Sequence, residues 1–133
     1  MTLYADTSAL LRRYIEESDS EWAVELLVSD PVVVTGRHTL VEVRRNLARL
    51  LPASAASAAR TAFADDLAAL SIIEVDAGTC ELAATIAEQT GVRTLDALHL
   101  GAARRLGTSV TFLTFDVRQA QVARVLGFAV AGA

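Results

Sequence analysis

The sequence predicts an α/β protein with three layers, in which helices cover both faces of a central, mainly parallel sheet of four to five strands. Short apolar and β-branched runs alternate with longer segments of helical periodicity along the whole chain. The segments follow one another closely, which favours parallel strands joined by crossover helices. With 133 residues and no repeat, linker or low-complexity segment, the chain is expected to form a single domain over residues 1–133.

The composition excludes several classes of protein. No apolar run approaches the roughly 20 residues that cross a bilayer, so no membrane association is expected. The N-terminus lacks the basic and apolar regions of a signal peptide. Cys80 is the single cysteine, which excludes an intrachain disulfide and a thiolate metal cluster, and these features predict a cytoplasmic protein. Lysine is absent, which excludes P-loop and phosphoacceptor receiver sites because they depend on it.

The charge of the chain leaves a nucleic-acid partner open. A formal net charge of −4 argues against such a partner at first. All twelve basic residues are arginine, however, and arginine binds phosphate with two parallel hydrogen bonds and stacks on bases. A genome of biased base composition also explains the abundant arginine and alanine, and the two explanations are compatible.

The first predicted elements surround an acidic residue. A buried strand from residue 3 ends on Asp6, and a helix follows from 7 to about 17. Ser18 or Ser20 is expected to cap a second helix. The buried face of that second helix is predicted to carry Trp22, Ala23, Leu26 and Leu27.

A second strand and a helical hairpin are predicted next. The β-branched run at 32–35 is typical of a parallel strand that is buried on both faces. A helix over about 38–51 and an alanine-rich helix over about 54–70 are separated by Pro52, which ends the first of them. The core stripe of the first helix is predicted to consist of Leu40, Val43, Leu47 and Leu50.

The second half of the chain continues the alternation of strands and helices. Strands are predicted at 71–75 and 110–114, and a terminal edge strand at 128–130. The helices near them are expected to begin or end at Asp76, Gly91, Thr94 and Asp116. The residues of these helices that are expected to face the core include Cys80, Leu95, Leu98 and Ala102.

Four carboxylates are expected to meet at the carboxyl edge of the sheet. Asp6 follows the first strand and Asp116 follows the fourth, while Glu42 and Asp96 lie in the first turns of helices. In a parallel α/β sheet, ligands bind at this edge, beyond the strand ends. Mg²⁺, or Mn²⁺ in its place, takes carboxylate ligands and relieves their repulsion, and it can activate water against a phosphodiester.

Each of these acids also has a purely structural explanation. Asp96 and Asp116 can complement helix dipoles, and Glu42 can pair with Arg45 or Arg49 on the surface. Three hydroxyl side chains are expected to hold the carboxylates or metal-bound water: Thr7, Ser8 and Thr114. His99 is interpreted as a packed, hydrogen-bonded side chain, and His38 as either a structural side chain or one near the rim of the site.

Four short motifs resemble those of PIN-domain proteins of the VapC toxin type. They are Tyr4-Ala5-Asp6-Thr7-Ser8-Ala9-Leu10, Thr39-Leu40-Val41-Glu42-Val43, Leu95-Asp96-Ala97-Leu98-His99-Leu100 and Leu113-Thr114-Phe115-Asp116. The resemblance implies a PIN fold and a Mg²⁺- or Mn²⁺-dependent endoribonuclease. It implies four catalytic acids, Asp6, Glu42, Asp96 and Asp116, and the metal ligands among them are expected to be Asp6, Asp96 and Asp116.

The resemblance also implies partners. It implies an RNA substrate, a toxin role, a cognate antitoxin that inserts a segment near the site, and a homodimer. The helical hairpin over about 38–70 is a plausible binding place for such partners. Toxins of this type often have an arginine pair after the last acid, where this chain has Val117-Arg118. The candidate RNA contacts are Arg12, Arg93 and Arg118.

Other functions of the same pocket are less well matched by the sequence. A haloacid-type phosphatase would need a second aspartate where this chain has Ser8. A structure-specific DNA nuclease of PIN type would usually have a longer chain and more acids. Two alternatives remain open, a PIN-type RNA-processing nuclease without toxin function and a catalytically silent PIN module that binds RNA or protein.

Overall fold

A single parallel sheet organises the protein. The computed structural model describes residues 2–107 and 109–133. Within these residues the strand order is β3-β2-β1-β4-β5, and every neighbouring pair is parallel. The strands are β1 Thr2–Ala5, β2 Val32–Gly36, β3 Ser71–Ile73, β4 Val110–Thr114 and β5 Ala129–Gly132. The predicted parallel sheet is therefore confirmed. Its central strand is β1, and Asp6 is the first residue after that strand.

Helices connect successive strands. They are α1 Thr7–Leu11, α2 Ser20–Val28, α3 Thr39–Leu50, α4 Ala53–Ala68, α5 Ala77–Thr90, α6 Thr94–Arg104 and α7 Val117–Val125. The predicted hairpin is present, since α3 contacts α4. Among the described residues, no helix is long and apolar enough to cross a membrane.

Alternate residues of the central strands supply two separate cores. In β1, Leu3 packs in one cluster with Leu10 and Leu27 of α1 and α2. The next residue, Tyr4, packs in another cluster with Leu100 of α6. Successive side chains of a strand point to opposite faces, so a strand that is apolar at every position needs helices on both sides. This pattern produces the three layers that the sequence predicts.

The first helix is shorter than predicted. Instead of reaching residue 17, α1 ends at Leu11, and the amide of Tyr14 bonds to the Leu11 carbonyl three residues earlier. The Ser20 hydroxyl then accepts a hydrogen bond from the amide of Glu17, which closes the loop before α2. Because Ser20 is used in this way, the predicted serine cap of α2 is wrong, and Asp19 occupies the cap position.

Several predicted core residues lie on the surface. Trp22, Leu50 and Leu95 are each 48% exposed, and Cys80 is also exposed. Short amphipathic helices bury a narrow stripe, which in α2 consists of Ser20, Ala23 and Leu27. Apolar residues beside such a stripe remain in contact with water, and periodicity alone does not fix its width.

The caps of the later helices are partly as predicted. Asp76 caps α5 through a hydrogen bond from the Thr79 amide, and Gly91 ends α5 with φ 71° in the left-handed region. Thr94 is the first helical residue of α6 rather than its cap, and the cap position is held by Arg93 without a side-chain bond.

Candidate active site

The sheet order brings two of the predicted acids to the same edge. Strands β1 and β4 are direct neighbours, with Ala5 opposite Leu113. Asp6 therefore leaves β1 beside the end of β4, and its amide donates to the Leu113 carbonyl over 3.1 Å. Phe115 is the first residue after β4, and Asp116 comes directly after it.

A polar pocket of about 200 Å³ lies at this edge. The first turns of α3 and α6 add Glu42 and Asp96 to it. The pocket is lined by Asp6, Thr7, Ser8, Leu11, Glu42, Asn46, Asp96, His99 and Asp116. The structure thus brings together all four predicted carboxylates and two of the three predicted hydroxyl neighbours.

Asp6 is the most enclosed of the four carboxylates. Its side chain caps α1, where Oδ1 accepts hydrogen bonds from the Ala9 amide over 3.2 Å and from Ser8 Oγ over 2.6 Å. The residue is only 4% exposed. Burial raises the pKa of Asp6 above its ordinary value, although His99 and these hydrogen bonds act in the opposite direction. A carboxylate in this position gains stability from a nearby cation.

Hydroxyl groups connect Asp6 to the loop that carries Asp116. Ser8 Oγ lies 3.2 Å from Thr114 Oγ1 and accepts from the Phe115 amide over 2.9 Å. Thr114 Oγ1 accepts in turn from the Asp116 amide over 3.1 Å. Ser8 and Thr114 thus join the backbone between the two acids through hydrogen bonds, and their role beside a metal ion stays a prediction.

Glu42 is held by a buried network rather than by surface arginines. Its Oε1 accepts from Thr7 Oγ1 over 2.7 Å and lies 2.8 Å from His99 Nε2. Burial alone would raise the pKa of Glu42, but the contacts with His99 and Thr7 outweigh it and lower the pKa below the ordinary value. The alternative pairing with Arg45 or Arg49 is not observed.

The hydrogen positions on His99 follow from its neighbours. An ionised carboxylate only accepts hydrogen bonds, so Nε2 carries the hydrogen and donates to Glu42. The Tyr4 hydroxyl lies 2.8 Å from Nδ1, so both ring nitrogens have a hydrogen-bond partner. His99 is 2% exposed, which confirms the interpretation of a packed, hydrogen-bonded side chain.

Asp96 and Asp116 are more open to solvent. Asp116 caps α7 by accepting from the Gln119 amide over 2.9 Å, so it fulfils the structural role and lines the pocket as well. The pKa of Asp96 is raised by burial first, and next by the negative charges of Asp116, Asp6 and Glu42. The charges of the other three acids therefore disfavour the ionised form of Asp96.

His38 does not line the pocket but lies beside two residues that do, and no chemical role is predicted for it from the sequence. Its Nε2 lies 3.8 Å from Glu42 Oε1, and its ring centroid lies 4.0 Å from that of His99. Burial lowers the pKa of His38 to about 4. The spacing of His38 and Glu42, four residues apart across the start of a helix, is the signal that could have found it.

The three arginines predicted to contact RNA differ in how far their guanidinium groups are already bound within the protein. Arg12 is bound within the protein: its Nε donates to Asp19 over 2.7 Å, one Nη donates to the Ser8 carbonyl, and the guanidinium lies over the ring of Phe115. Arg93 and Arg118 are exposed, and neither has an ion-pair partner within 4.0 Å in the part of the chain that the structure describes.

Comparison with known proteins agrees with this architecture. The chain is 33% identical to ribonuclease VapC46 of Mycobacterium tuberculosis over 129 residues, covering 96% of this chain and 95% of that protein. Among solved structures, VapC20 of M. tuberculosis, described as a toxin that cleaves the sarcin-ricin loop, has a TM-score of 0.77 and 24% identity, with 98% of this chain and 99% of that chain covered. FitAcB of Neisseria gonorrhoeae has a TM-score of 0.76 and 21% identity, with 96% and 95% covered.

The family model of the PIN domain matches residues 3–125, from the first residues of β1 to the end of α7. This range contains the four pocket acids and the strands β1 and β4 that bring two of them together. The chain therefore belongs to the PIN domain family.

Proposed function

We propose that the protein is a metal-dependent endoribonuclease and the toxin of a type II toxin–antitoxin pair. The observation that carries the proposal is the pocket in which Asp6, Glu42, Asp96 and Asp116 meet at the carboxyl edge of the sheet. The relative at 33% identity is named a ribonuclease, and one of the structural neighbours is described as an RNA-cleaving toxin.

The donor set fits a hard divalent cation. All the predicted ligands are carboxylate oxygens, and Mg²⁺ binds such groups while keeping several waters. Burial raises the pKa of Asp6, and burial together with the neighbouring acids raises the pKa of Asp96, so a bound cation would favour the ionised form of both. Asp6, Asp96 and Asp116 would hold Mg²⁺, with Mn²⁺ as a substitute. When bound, the ion would supply charge neutralisation and a more acidic water for attack on the phosphodiester.

Glu42 has a different role in the proposed reaction. Its ionised carboxylate is fixed by Thr7 and His99, with one edge facing the pocket. From this position it can accept a hydrogen bond from a water molecule and orient it for in-line attack on phosphorus. The water oxygen bonds to phosphorus and releases a proton to solvent, while the bond from phosphorus to the ribose oxygen breaks and that oxygen takes a proton from solvent.

The substrate contacts are assigned to exposed arginines. Arg93 precedes α6, which carries Asp96, and Arg118 lies two residues after Asp116. Because each arginine lies within three residues of a pocket acid and is exposed, we assign both guanidinium groups to phosphates of the RNA. Arg12 supports Phe115 and the α1–α2 loop, and its bound guanidinium has less capacity for RNA.

The partner surface is assigned to the hairpin of α3 and α4. A groove of about 580 Å³ runs between these helices, with an apolar floor and three arginines whose side chains have no ion-pair partner among the described residues. It is lined by Leu40, Val41, Arg44, Arg45, Leu47, Ala48, Ala56, Ser57 and Arg60. We assign this groove to a segment of the cognate antitoxin and expect a cytoplasmic homodimer. Structural neighbours include toxin–antitoxin complexes, which supports an antitoxin partner.

The proposal is tested with purified, antitoxin-free protein and a mixed tRNA and rRNA pool. Cleavage at discrete sites that requires Mg²⁺ or Mn²⁺, stops in EDTA and is lost in Asp6→Asn is the expected result. Asp65→Asn is the matched control, because Asp65 is an exposed acid on α4 and does not line the pocket. Cleavage that survives in Asp6→Asn would indicate a contaminating nuclease. A folded, metal-binding protein that leaves every RNA intact would favour a silent PIN module.

A further inference from the structure

We propose that His38, Glu42 and His99 form a second cation site, which binds a borderline-soft divalent ion of the Zn²⁺ class through two imidazole nitrogens and one carboxylate oxygen. Each residue offers one ligand atom, and these atoms all lie within 4.8 Å of one another. The site adjoins the carboxylate pocket and shares Glu42 with it, but its nitrogen donors select a different class of ion.

The His38 ring lies beside Glu42 and His99 without a hydrogen bond that explains its position. Its side chain is 9% exposed, and neither ring nitrogen has a hydrogen-bond partner among the described residues. Buried polar atoms are nearly always paired, so an unpaired imidazole beside a carboxylate and a second imidazole needs an explanation.

The position of the His38 ring is built into the end of β2. A Cβ atom added at Gly36 would lie 2.5 Å from Cε1 and 2.7 Å from Nδ1 of His38. The ring therefore lies directly against the glycine backbone, and any larger residue at 36 would displace it. Since α3 begins at Thr39, the strand end and the helix start together hold the ring beside Glu42.

The observed separations are close to those of a zinc site. Glu42 Oε1 is 2.8 Å from His99 Nε2 and 3.8 Å from His38 Nε2. Ligand atoms around tetrahedral Zn²⁺ are about 3.3 Å apart, as follows from bonds of about 2.0 to 2.1 Å. The two separations from Glu42 Oε1 each differ from this spacing by about half an ångström, and the three ligand atoms all lie within 4.8 Å of one another.

His99 can enter the site by changing its tautomer. In the tautomer that carries its hydrogen on Nδ1, Nε2 has a free lone pair and can bind the ion. Nδ1 then donates to the Tyr4 hydroxyl, which lies 2.8 Å away. A metal-bound histidine usually donates its other N–H to such a partner, and Tyr4 provides it.

Because Glu42 belongs to both sites, an ion bound at the second site should affect the carboxylate pocket. An ion bound to Glu42 Oε1 would replace the hydrogen bonds that Thr7 and His99 now make to this oxygen beside the pocket. We therefore expect Zn²⁺ to inhibit Mg²⁺-dependent cleavage, and this consequence rests on the proposed nuclease function. The binding itself does not depend on that function and is measured without RNA.

The test uses Co²⁺ as a spectroscopic probe of the full chain, with excess Mg²⁺ to occupy the carboxylate pocket. The expected result is one equivalent of bound Co²⁺ with the intense visible bands of a four- or five-coordinate ion, displaced by Zn²⁺. His38→Ala should weaken Co²⁺ binding at least about tenfold. Asp96→Asn, which alters only the carboxylate pocket, should retain the bands. Circular dichroism establishes that each variant is folded, and Glu42→Gln serves as a second ligand variant.

Three outcomes would overturn the second site. The first is a folded wild-type protein without the Co²⁺ bands. The second is Co²⁺ binding that is unchanged in both His38→Ala and Glu42→Gln. The third is Co²⁺ binding that is lost in Asp96→Asn but kept in His38→Ala. The last pattern would place the ion among the aspartates. If the Co²⁺ bands are present but no RNA is cleaved, the second site stands and the nuclease proposal fails.

Discussion

Glu42 and His99 lie 57 positions apart in the sequence and form a 2.8 Å hydrogen bond. The bond links α3 to α6 at the edge of the sheet and continues through His99 to the Tyr4 hydroxyl in β1. One pocket carboxylate is thus oriented by a buried chain of polar groups that ends in the apolar core. Activity and stability are therefore expected to depend on some of the same side chains.

His99→Ala should destabilise the protein strongly. The change leaves a cavity and removes the partner of the buried Tyr4 hydroxyl, which together should lower the free energy of unfolding by about 2–4 kcal/mol. Urea denaturation of the metal-free protein measures this. Leu95→Ala is the matched control, because Leu95 lies on the same helix but is 48% exposed, and a change within about 0.5 kcal/mol is expected. Equal effects of the two substitutions would contradict the central role of His99.

Thr7→Val should impair cleavage by releasing Glu42. The Thr7 hydroxyl donates to Glu42 Oε1 over 2.7 Å and helps to lower the pKa of that carboxyl. Its loss should reduce kcat about tenfold and move the acidic limb of the pH–rate profile to higher pH. Thr7→Ser keeps the hydroxyl and should retain both the rate and the profile. An unchanged profile in Thr7→Val would show that Thr7 does not position Glu42.

Asp6→Asn should stabilise the metal-free protein at neutral pH. Burial raises the folded-state pKa of Asp6, so its proton is bound more tightly in the folded than in the unfolded state. This carboxyl therefore favours folding at pH below its unfolded pKa of about 3.9, and that contribution is lost as the pH rises through the higher folded value. Asparagine can still cap α1 and accept from Ser8.

Thermal unfolding in EDTA tests the effect of Asp6→Asn. The melting temperature of the variant should exceed that of wild type by a few degrees near neutral pH, and the difference should shrink as the pH falls. Asp116→Asn is the comparison, because Asp116 is exposed and its substitution should change the melting temperature less. A variant that melts below wild type at neutral pH would show that the ionised form of Asp6 stabilises the fold even without metal.

Gly101→Ala should disturb the packing of α5 on α6. An added Cβ would lie 2.8 Å from the backbone nitrogen of Ala83, and the backbone cannot move away cheaply. A loss of about 1–3 kcal/mol in the free energy of unfolding is expected. At Gly78 the nearest atom to an added Cβ, also at 2.8 Å, is the end of the flexible Arg105 side chain. Gly78→Ala should therefore be tolerated, and similar losses at both positions would contradict this account.

The sequence by itself determined the elements and the identity of the acids. Alternating apolar strands and helical segments encode the layers locally, and capping residues such as Asp76 and Asp116 form their hydrogen bonds within three residues. The four acids stand at strand ends and helix starts, which general rules for parallel sheets place at one edge. The family assignment from the short motifs was confirmed by the family model and by the ribonuclease relative.

Only the tertiary structure decided which side chains meet and which remain on the surface. Trp22 and Leu95 have the right spacing for a core but lie beside the buried stripes of their helices. His99 bonds to Tyr4 and Glu42, which lie 95 and 57 positions away from it in the sequence. The His38 ring packs against the backbone of Gly36. Local periodicity specifies the helices and strands, whereas contacts between distant residues depend on strand order and helix packing, which no single segment contains.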